Sequence, residues 1–318
     1  MTSPESPAGA RRRVRLALRE ARERQGYTQA QVAEEMEWST SKVIRIESGE
    51  VTISPNDLKP LLTYLKFADK AEIERLVHDA RNSRRRQMWW DEPGVRAHLT
   101  PPSRQLIQYE HEATAIRHFT SFIIPGTLQT PAYARATLNG HIGELAEADI
   151  EVRLQTRKRR RTELFARRDF PQILLLLDES VLKRRAGDAR TTGEQLLDLV
   201  RVARERAEVM VRVLPYVADA PLPMFGQYDI LTLPSDKGED AVLYRESYLT
   251  DELVEDPWNV SRHREIFDKY WEASMPESES TALIAESAAE LIDSAAAKPP
   301  ASSRTSNNLA GPRRRRMS

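Results

Sequence analysis

The chain has 318 residues, of which 40% are hydrophobic and 30% charged, and its 48 basic and 48 acidic side chains give a formal net charge of zero. This length suits two domains of ordinary size, and the balanced charge gives no whole-molecule indication of a polyanionic partner. The lack of cysteine excludes disulfides, thiolate metal sites and cysteine nucleophiles. With no signal peptide and no run of about 20 apolar residues, we expect a cytoplasmic protein.

Composition and periodicity divide the chain into segments. Residues 1–10 and 295–318 are rich in small, polar, proline and arginine residues, and we expect disordered tails because such segments bury little apolar area. Helical patterns fill residues 11–82, which predicts an all-α domain of about five helices. Proline and glycine break the periodicity over residues 83–102, which we interpret as a linker. Residues 103–290 then form a second domain.

The first domain begins with three predicted helices. Gly26 follows the first of them, at a position that favours a left-handed residue. Thr28 caps the second helix and Ser39 caps the third, with almost no chain between the two. Both helices are therefore short and meet at a steep angle, and they need the first helix to complete a core. Its apolar face consists of Val14, Leu18 and Ala21.

Two short helices at a steep angle are the arrangement with which a helix enters the major groove of DNA. The helix 39–48 buries Val43 and Ile46, which leaves four outward candidates for base contacts: Thr40, Ser41, Ile44 and Arg45. Candidates for phosphate contacts are Thr28, Gln29, Ser39 and Lys42, with Arg11, Arg12 and Arg13 as a possible arm. The alternatives are another small all-α unit and, for the arginines, a solvated start of the first helix.

A second basic stretch lies in the second domain. At helical spacing it places four arginines on one stripe: Arg153, Arg157, Arg160 and Arg161. The simplest interpretation is a solvent-exposed face. The functional alternatives are a second phosphate contact and a docking face for an acidic protein.

The second domain mixes helical and strand patterns. Ser103 begins a helical pattern with apolar positions at Leu106, Tyr109, Ala113 and Ile116, and Thr130 with Pro131 begins another. Short apolar or alternating runs predict four strands, "QILLLLD", "EVMVRVLP", "YDILTLP" and "AVLYRE". A helix from about Gly193 to Arg206 separates the first two runs. The fold class expected here is α+β with a mixed sheet.

Catalytic and metal-binding patterns are weak. The six histidines are scattered without the spacing of a metal site, and we expect neither metal nor cofactor. Asp178 and Glu179 follow a predicted strand, where open sheets often place catalytic carboxylates. A cap on the next helix explains Asp178 more simply, so we expect no enzyme, although a metal-dependent nuclease using these two residues stays open.

Two resemblances sharpen this interpretation. The stretch "YTQAQVAEEMEWSTSKVIRIESG" resembles helix-turn-helix domains of the xenobiotic-response-element (XRE) type. The stretches "FIIPGTLQTPAYARATL", "LLLLDESVLKRRAG", "VMVRVLPY" and "LVEDPWNVSRHREIFDKYWEASM" resemble the C-terminal domain of actinobacterial WhiJ-like regulators. The first resemblance implies an ion pair of Arg22 with Glu47. The second implies a transcriptional regulator with a small partner protein encoded nearby, in an antitoxin-like arrangement.

The chain also departs from the WhiJ-like pattern. Residues 218–221 lack the glycine and histidine expected there, so a partner or ligand surface around residues 216–225 does not carry over from the resemblance.

The first domain leads us to predict a nucleoid-associated homodimer that binds double-stranded DNA, because one module buries too little surface on DNA for tight specific binding. The alternative is an antitoxin-like protein whose second domain binds a small protein.

Overall fold

In the computed structural model, the described residues are 7–84, 88–140, 145–221, 226–234, 240–246 and 250–297. The first domain consists of the five expected helices, α1 (Pro7–Arg24), α2 (Gln29–Glu35), α3 (Thr40–Glu47), α4 (Pro55–Tyr64) and α5 (Lys70–Asn82). Helix α1 begins at Pro7, so residues 7–10 are helical where the sequence led us to expect a tail. Residues 295 and 296 likewise belong to the last helix, and the remaining parts of the expected tails, residues 1–6 and 298–318, lie outside the described residues.

All five helices contribute to one apolar core. Its buried members include Val14, Leu18, Ala21, Val32, Ala33, Val43, Ile46, Leu58, Leu61, Leu62, Leu76, Val77 and Ala80. Helices α2, α3, α4 and α5 have only 7 to 13 residues and are marginal alone, so the domain depends on this shared burial. The inward faces predicted for the first helix, Val14, Leu18 and Ala21, and for the third, Val43 and Ile46, are confirmed.

The segment between the domains is folded rather than extended. A short 3-10 helix (Trp89–Asp91) and α6 (Pro93–Arg96) occupy it. Trp89 and Trp90 are buried with Ile107, and the Trp89 indole N–H donates a hydrogen bond to Glu163 Oε2 at 2.7 Å. The expected linker therefore packs onto the second domain.

The second domain contains a mixed sheet, as expected. Its described strands are β1 (Ala115–Thr120), β2 (Gln172–Asp178), β3 (Val209–Leu214), β4 (Tyr228–Leu233), β5 (Asp240–Glu246) and β6 (Asp251–Val254). The strand order is β3-β2-β1-β4-β5-β6. Strands β1, β2 and β3 are parallel, and the remaining neighbours are antiparallel.

Strand β1 replaces part of a predicted helix. Helix α7 (Pro101–Glu110) ends before Ala113, and Ile116 lies in β1 instead of on a continued helical face. β1 is a central strand, paired with β2 on one side and β4 on the other. Pairing on both edges outweighs a helical spacing of apolar residues, because local propensity is weak beside tertiary contacts.

Helices cover both faces of the sheet. They are α8 (Pro131–Asn139), α9 (Glu147–Phe165), α10 (Ser180–Lys183), α11 (Ala189–Glu205), α12 (Pro257–Ala273) and α13 (Glu277–Ala296). Helices α11 and α13 pack over β2 and β3 on one face, and α12 covers the other face. On the first face, a separate apolar cluster joins α7 to β4 and β5.

Candidate nucleic-acid interface

Helix α3 presents the outward face that the sequence predicted. Val43 and Ile46 are buried, whereas Thr40, Ser41, Ile44 and Arg45 are exposed. Ile44 is 45% exposed, so its apolar side chain is available to a surface that contacts α3. The Arg45 guanidinium lies 3.5 Å from Glu50 Oε2 in a pair that is about half exposed on both sides. Such a pair is weak and leaves Arg45 free to exchange partners.

The connection between α2 and α3 is short because α2 ends in a left-handed residue. Glu37 has φ of 55°, and the Trp38 N–H donates to Ala33 O at 2.8 Å. This bond and the one from Glu37 N–H to Glu34 O close a Schellman motif. The chain therefore turns sharply into Ser39, whose hydroxyl accepts from Lys42 N–H and starts α3.

Glu47 fixes the opposite end of α3. It is buried and accepts from Arg22 Nε at 2.7 Å and Arg22 Nη2 at 3.0 Å. The amide of Gln29 donates to the same carboxylate at 2.9 Å. The hydrogen bond and the charge of Glu47 raise the pKa of Arg22 although burial opposes this. This two-pronged contact joins α1, α2 and α3 at one point.

The candidate phosphate ligands near α3 have structural partners of their own. The Thr28 hydroxyl accepts from Gln31 N–H in a capping box, and Gln29 is half-buried against Glu47. Lys42 Nζ lies 3.3 Å from Asp57 Oδ2 and 3.7 Å above the Trp38 ring. Thr28, Ser39 and Lys42 nevertheless remain at least partly exposed around the start of α3.

The N-terminal arginines face the second domain or α5 instead of forming an arm. Arg12 is only 5% exposed and pairs with Asp240 and with Glu255, its Nε lying 3.2 Å from Glu255 Oε1. Arg13 makes a two-pronged pair with Asp79 at 2.7 and 2.9 Å. Burial lowers the pKa of Arg11, an effect that Asp91 partly offsets. With the domains in this arrangement, Arg12 cannot contact a phosphate.

A buried polar cluster connects the two domains. We call it the interdomain network, and it consists of Arg12, Arg15, Tyr109, Asp240 and Glu255. Arg15 pairs with Glu255 and donates to the Tyr109 hydroxyl at 3.0 Å, while Tyr109 donates to Glu255 at 2.9 Å. Burial would raise the pKa of Glu255, but Arg15 and Arg12 outweigh it and hold this pKa below its ordinary value.

Only the arginines of this network could be recognised from the sequence. The arginine run at residues 11–15 was visible as a basic stretch, but its acidic partner Glu255 lies 240 positions away from Arg15. Glu255 lies between β6 and α12, where no local pattern marks it as the partner of an arginine. The long-range pairing is set by how the two domains pack.

The basic stripe of α9 is not a solvent-exposed face, and that expectation was wrong. Arg160 is 15% exposed and makes a two-pronged pair with the buried Glu110 at 2.6 and 2.9 Å. Arg161 pairs with Asp198 at 2.7 Å, and Arg157 points into the domain. The four arginines of this stripe therefore direct their charge to the interior, because α9 lies against the sheet side of the domain.

The residues considered for catalysis have structural contacts. Asp178 Oδ1 accepts from Ser180 N–H at 2.9 Å, a local turn bond just before α10 whose N-cap is Glu179, and Glu179 Oε2 accepts from Tyr216 N–H at 3.0 Å. Within the described part of the chain, no group of three histidine, aspartate or glutamate side chains could hold a metal ion. Among the described helices, none is long and apolar enough to cross a lipid bilayer.

Comparison with known proteins matches each domain to a family model. A family model described as a domain of unknown function (DUF5753) matches residues 103–286, more than half of the chain. A model described as a helix-turn-helix domain matches residues 14–76, which contain α2, α3 and the exposed face of α3. No curated protein and no solved structure shows a significant match.

Proposed function

Since the chain belongs to the DUF5753 family and carries a helix-turn-helix domain ahead of that region, we propose that it is a sequence-specific, DNA-binding transcriptional regulator of the XRE type. Helix 39–48 reads the major groove, and the second domain modulates this activity in the manner of WhiJ-like regulators. The helix-turn-helix match supports DNA binding itself, and the XRE and WhiJ-like assignments are part of the proposal.

The observation that carries the proposal is the exposed face of α3. Its four outward side chains have no role in the core, and both ends of the helix are fixed, by the Ser39 cap and by the Arg22–Glu47 pair. Arg45 can make a two-pronged contact with guanine, and Ile44 can contact a thymine methyl group. Thr40 and Ser41 offer weaker, adaptable hydrogen bonds. The face thus offers one strong hydrogen-bonding contact, from Arg45, and one apolar contact, from Ile44.

The proposal includes a homodimer. A single helix-turn-helix module buries about 600 to 1,000 Å² on DNA, which is modest for specific binding. Two copies on half-sites one helical turn apart would double this contact. Solution mass measured with and without DNA tests this part, and a monomer in both conditions would contradict it.

The decisive experiment measures binding of the full chain to DNA from upstream of its own gene, at two salt concentrations. Arg45→Ala should lose discrimination between the specific site and a scrambled one, at a cost of about 1 to 3 kcal/mol. Gln29→Ala should weaken binding to both DNAs more uniformly, because Gln29 supports α3 and a phosphate contact.

Arg190→Ala provides the matched control. Arg190 is an arginine on α11 with a 72% exposed side chain, and its only described partner is Glu194. Its removal should leave both affinities unchanged. Weak binding that depends strongly on salt and ignores the Arg45 substitution would overturn groove reading by α3 at that site.

One observation favours the antitoxin-like alternative as a second candidate. Tyr216 and Val217 follow β3 with side chains 64% and 92% exposed, which is high for large apolar groups. They lie in the segment after β3, of which residues 215–221 are described, and this exposure is independent of the WhiJ-like resemblance. Co-expression with the product of a short neighbouring gene tests this. Stable 1:1 association that Val217→Ser weakens would support it, and separate elution would oppose it.

A further inference from the structure

The second domain contains a partly open cavity of about 540 Å³ against the sheet. Strands β1, β4 and β5 form its floor, and α7, α9 and the 3-10 turn at Gly126–Leu128 form its walls. This volume lies within the range of small-molecule sites, which is about 300 to 1,000 Å³. The cavity is apart from α3, and the DNA-binding proposal makes no use of it.

The floor of the cavity interrupts an apolar sheet face with polar side chains. His118, Asp229 and Tyr244 are register neighbours on β1, β4 and β5, and we call them the polar row. Their neighbours on the same face, such as Ile116, Leu231 and Val242, are buried in an apolar cluster. Polar groups in such a position cost stability unless they are satisfied, so a row of them is unusual in a purely structural sheet.

His118 has one satisfied and one unsatisfied ring nitrogen. Its Nδ1 lies 2.6 Å from Asp229 Oδ1, a contact in which Nδ1–H donates to the carboxylate. Its Nε2 is buried and has no hydrogen-bond partner among the described residues, although the side chain is only 1% exposed. In the neutral ring the Asp229 contact holds the proton on Nδ1, so Nε2 is then an oriented acceptor on a residue that lines the cavity.

The wall from α9 supplies positive charge that has no carboxylate partner. Arg153 makes no ion pair or hydrogen bond with a described residue, and its Nε is buried. Arg157 donates only to neutral acceptors, at 2.9 Å to Gln129 Oε1, 3.3 Å to Ala134 O and 2.9 Å to Thr137 Oγ1. The pKa of Arg157 is lowered to about 10, because burial and the charges of Arg160 and Arg153 outweigh the opposing effect of Glu246. Arg160, in contrast, is neutralised by Glu110.

Arg153 and Arg157 are one helical turn apart, so both guanidinium groups are available to one ligand at the cavity wall. A carboxylate there would receive charge-assisted hydrogen bonds from groups that otherwise lack a negative partner. Glu246, Asp229 and Asp251 line other parts of the same cavity. Their carboxylates oppose a second negative charge on the ligand, which disfavours dicarboxylates and phosphate.

We propose that this cavity binds a small organic molecule with a single carboxylate, held by Arg153 and Arg157, whose polar remainder donates a hydrogen bond to His118 Nε2. Amino acids fall within this class, because an amine is compatible with the carboxylates on the opposite side. The ligand site requires no DNA, and its test therefore stands or falls separately from the proposed regulation.

The test is calorimetric titration of the full chain, without DNA, against 4-hydroxybenzoate and the twenty proteinogenic amino acids. Comparison probes are 4-hydroxybenzamide, phthalate and inorganic phosphate. We expect saturable binding of at least one monocarboxylate, and no binding of the amide, of phthalate or of inorganic phosphate. Arg153→Gln should weaken that binding by about tenfold or more, because a charge-assisted hydrogen bond is lost.

Two further variants keep the outcome interpretable. Lys158→Gln removes a positive charge from the exposed side of the same helix and should leave binding unchanged. Gly126→Leu keeps all three arginines and fills the cavity; a Cβ there would lie 3.5 Å from Arg160 Nη1, an ordinary contact, and binding should disappear. The absence of saturable monocarboxylate binding, or equal binding by wild type, Arg153→Gln and Gly126→Leu, would overturn the proposal.

Discussion

Glu47 is a buried carboxylate that accepts three hydrogen bonds, two from Arg22 and one from Gln29. Its partners come from α1 and α2, so a single side chain at the end of α3 ties the reading helix to both of its neighbours. Residue-level features of this kind were partly visible in the sequence. The faces of α3 follow from helical periodicity, whereas the Arg22–Glu47 pair was implied only by a family resemblance, since nothing local links positions 25 residues apart.

Arg22→Ala should lower the free energy of unfolding by about 3 kcal/mol, because it leaves a buried carboxylate without its cation. Arg19→Ala is the matched control on the same helix. Arg19 and its partner Glu23 are both more than half exposed, so that substitution should cost less than about 1 kcal/mol. Urea denaturation of the full-length variants checks both values. Equal unfolding midpoints for the two variants would show that Glu47 does not depend on Arg22.

Helices of the first domain end in one recurring way. A left-handed residue follows the last turn of α1, α2, α3 and α4, at Gly26, Glu37, Gly49 and Lys66 respectively. Gly26 was predicted because glycine marks this position, but Glu37 and Lys66 carry no such mark. Strand β1 was missed for a related reason: its residues fit a helical spacing, and only pairing with two strands distant in sequence decides against it.

Substitutions at two of these turns should change the stability of the first domain in opposite directions. Gly26→Ala should destabilise the domain by about 1 kcal/mol, since the new Cβ meets no atom within 4 Å and only the left-handed φ opposes it. Glu37→Gly should stabilise the domain by up to about 1 kcal/mol, because it removes the same strain from the α2–α3 turn. Thermal and urea unfolding measure both effects. Stabilisation by Gly26→Ala would contradict the assigned backbone conformation.

At the scale of the whole molecule, the interdomain network sets how the helix-turn-helix domain lies on the second domain. The two domains and the mixed sheet followed from periodicity and strand-like runs, because each depends on local patterns. The network did not, since its arginines and carboxylates are distant in sequence and are paired only by packing. The cavity of the second domain was missed for the same reason: the α9 arginines resemble a solvated stripe until α9 is placed against the sheet.

Glu255 makes this contact sensitive to acid. Its pKa is below the ordinary value of 4.5 in the folded protein, so its stabilising contribution is present above that pH and is lost as the pH falls through the lower folded-state value. The protection factors of amides in α1 and α7, which are corrected for the intrinsic exchange rate at each pH, should therefore fall in acid more than those elsewhere. Glu255→Gln should lower them already at neutral pH, because Arg12 and Arg15 remain buried without their carboxylate.

Glu252→Gln is the control for this experiment. Glu252 lies nearby on β6, is 58% exposed and pairs with Arg245, so its loss should leave α1 and α7 protected. Unchanged exchange in Glu255→Gln at neutral pH would show that the domain contact does not rely on this carboxylate.

The burial of Arg12 and Arg15 also determines what DNA would sense electrostatically. While the domains are in contact, two cationic groups next to the helix-turn-helix are neutralised and displace no counterions from a nucleic acid. If the contact opens, both become available to phosphates, and each phosphate neutralised adds about −0.9 to the slope of log K against log salt. The steepness of the salt dependence thus becomes a readout of domain closure, with the shallower slope belonging to the closed form described above.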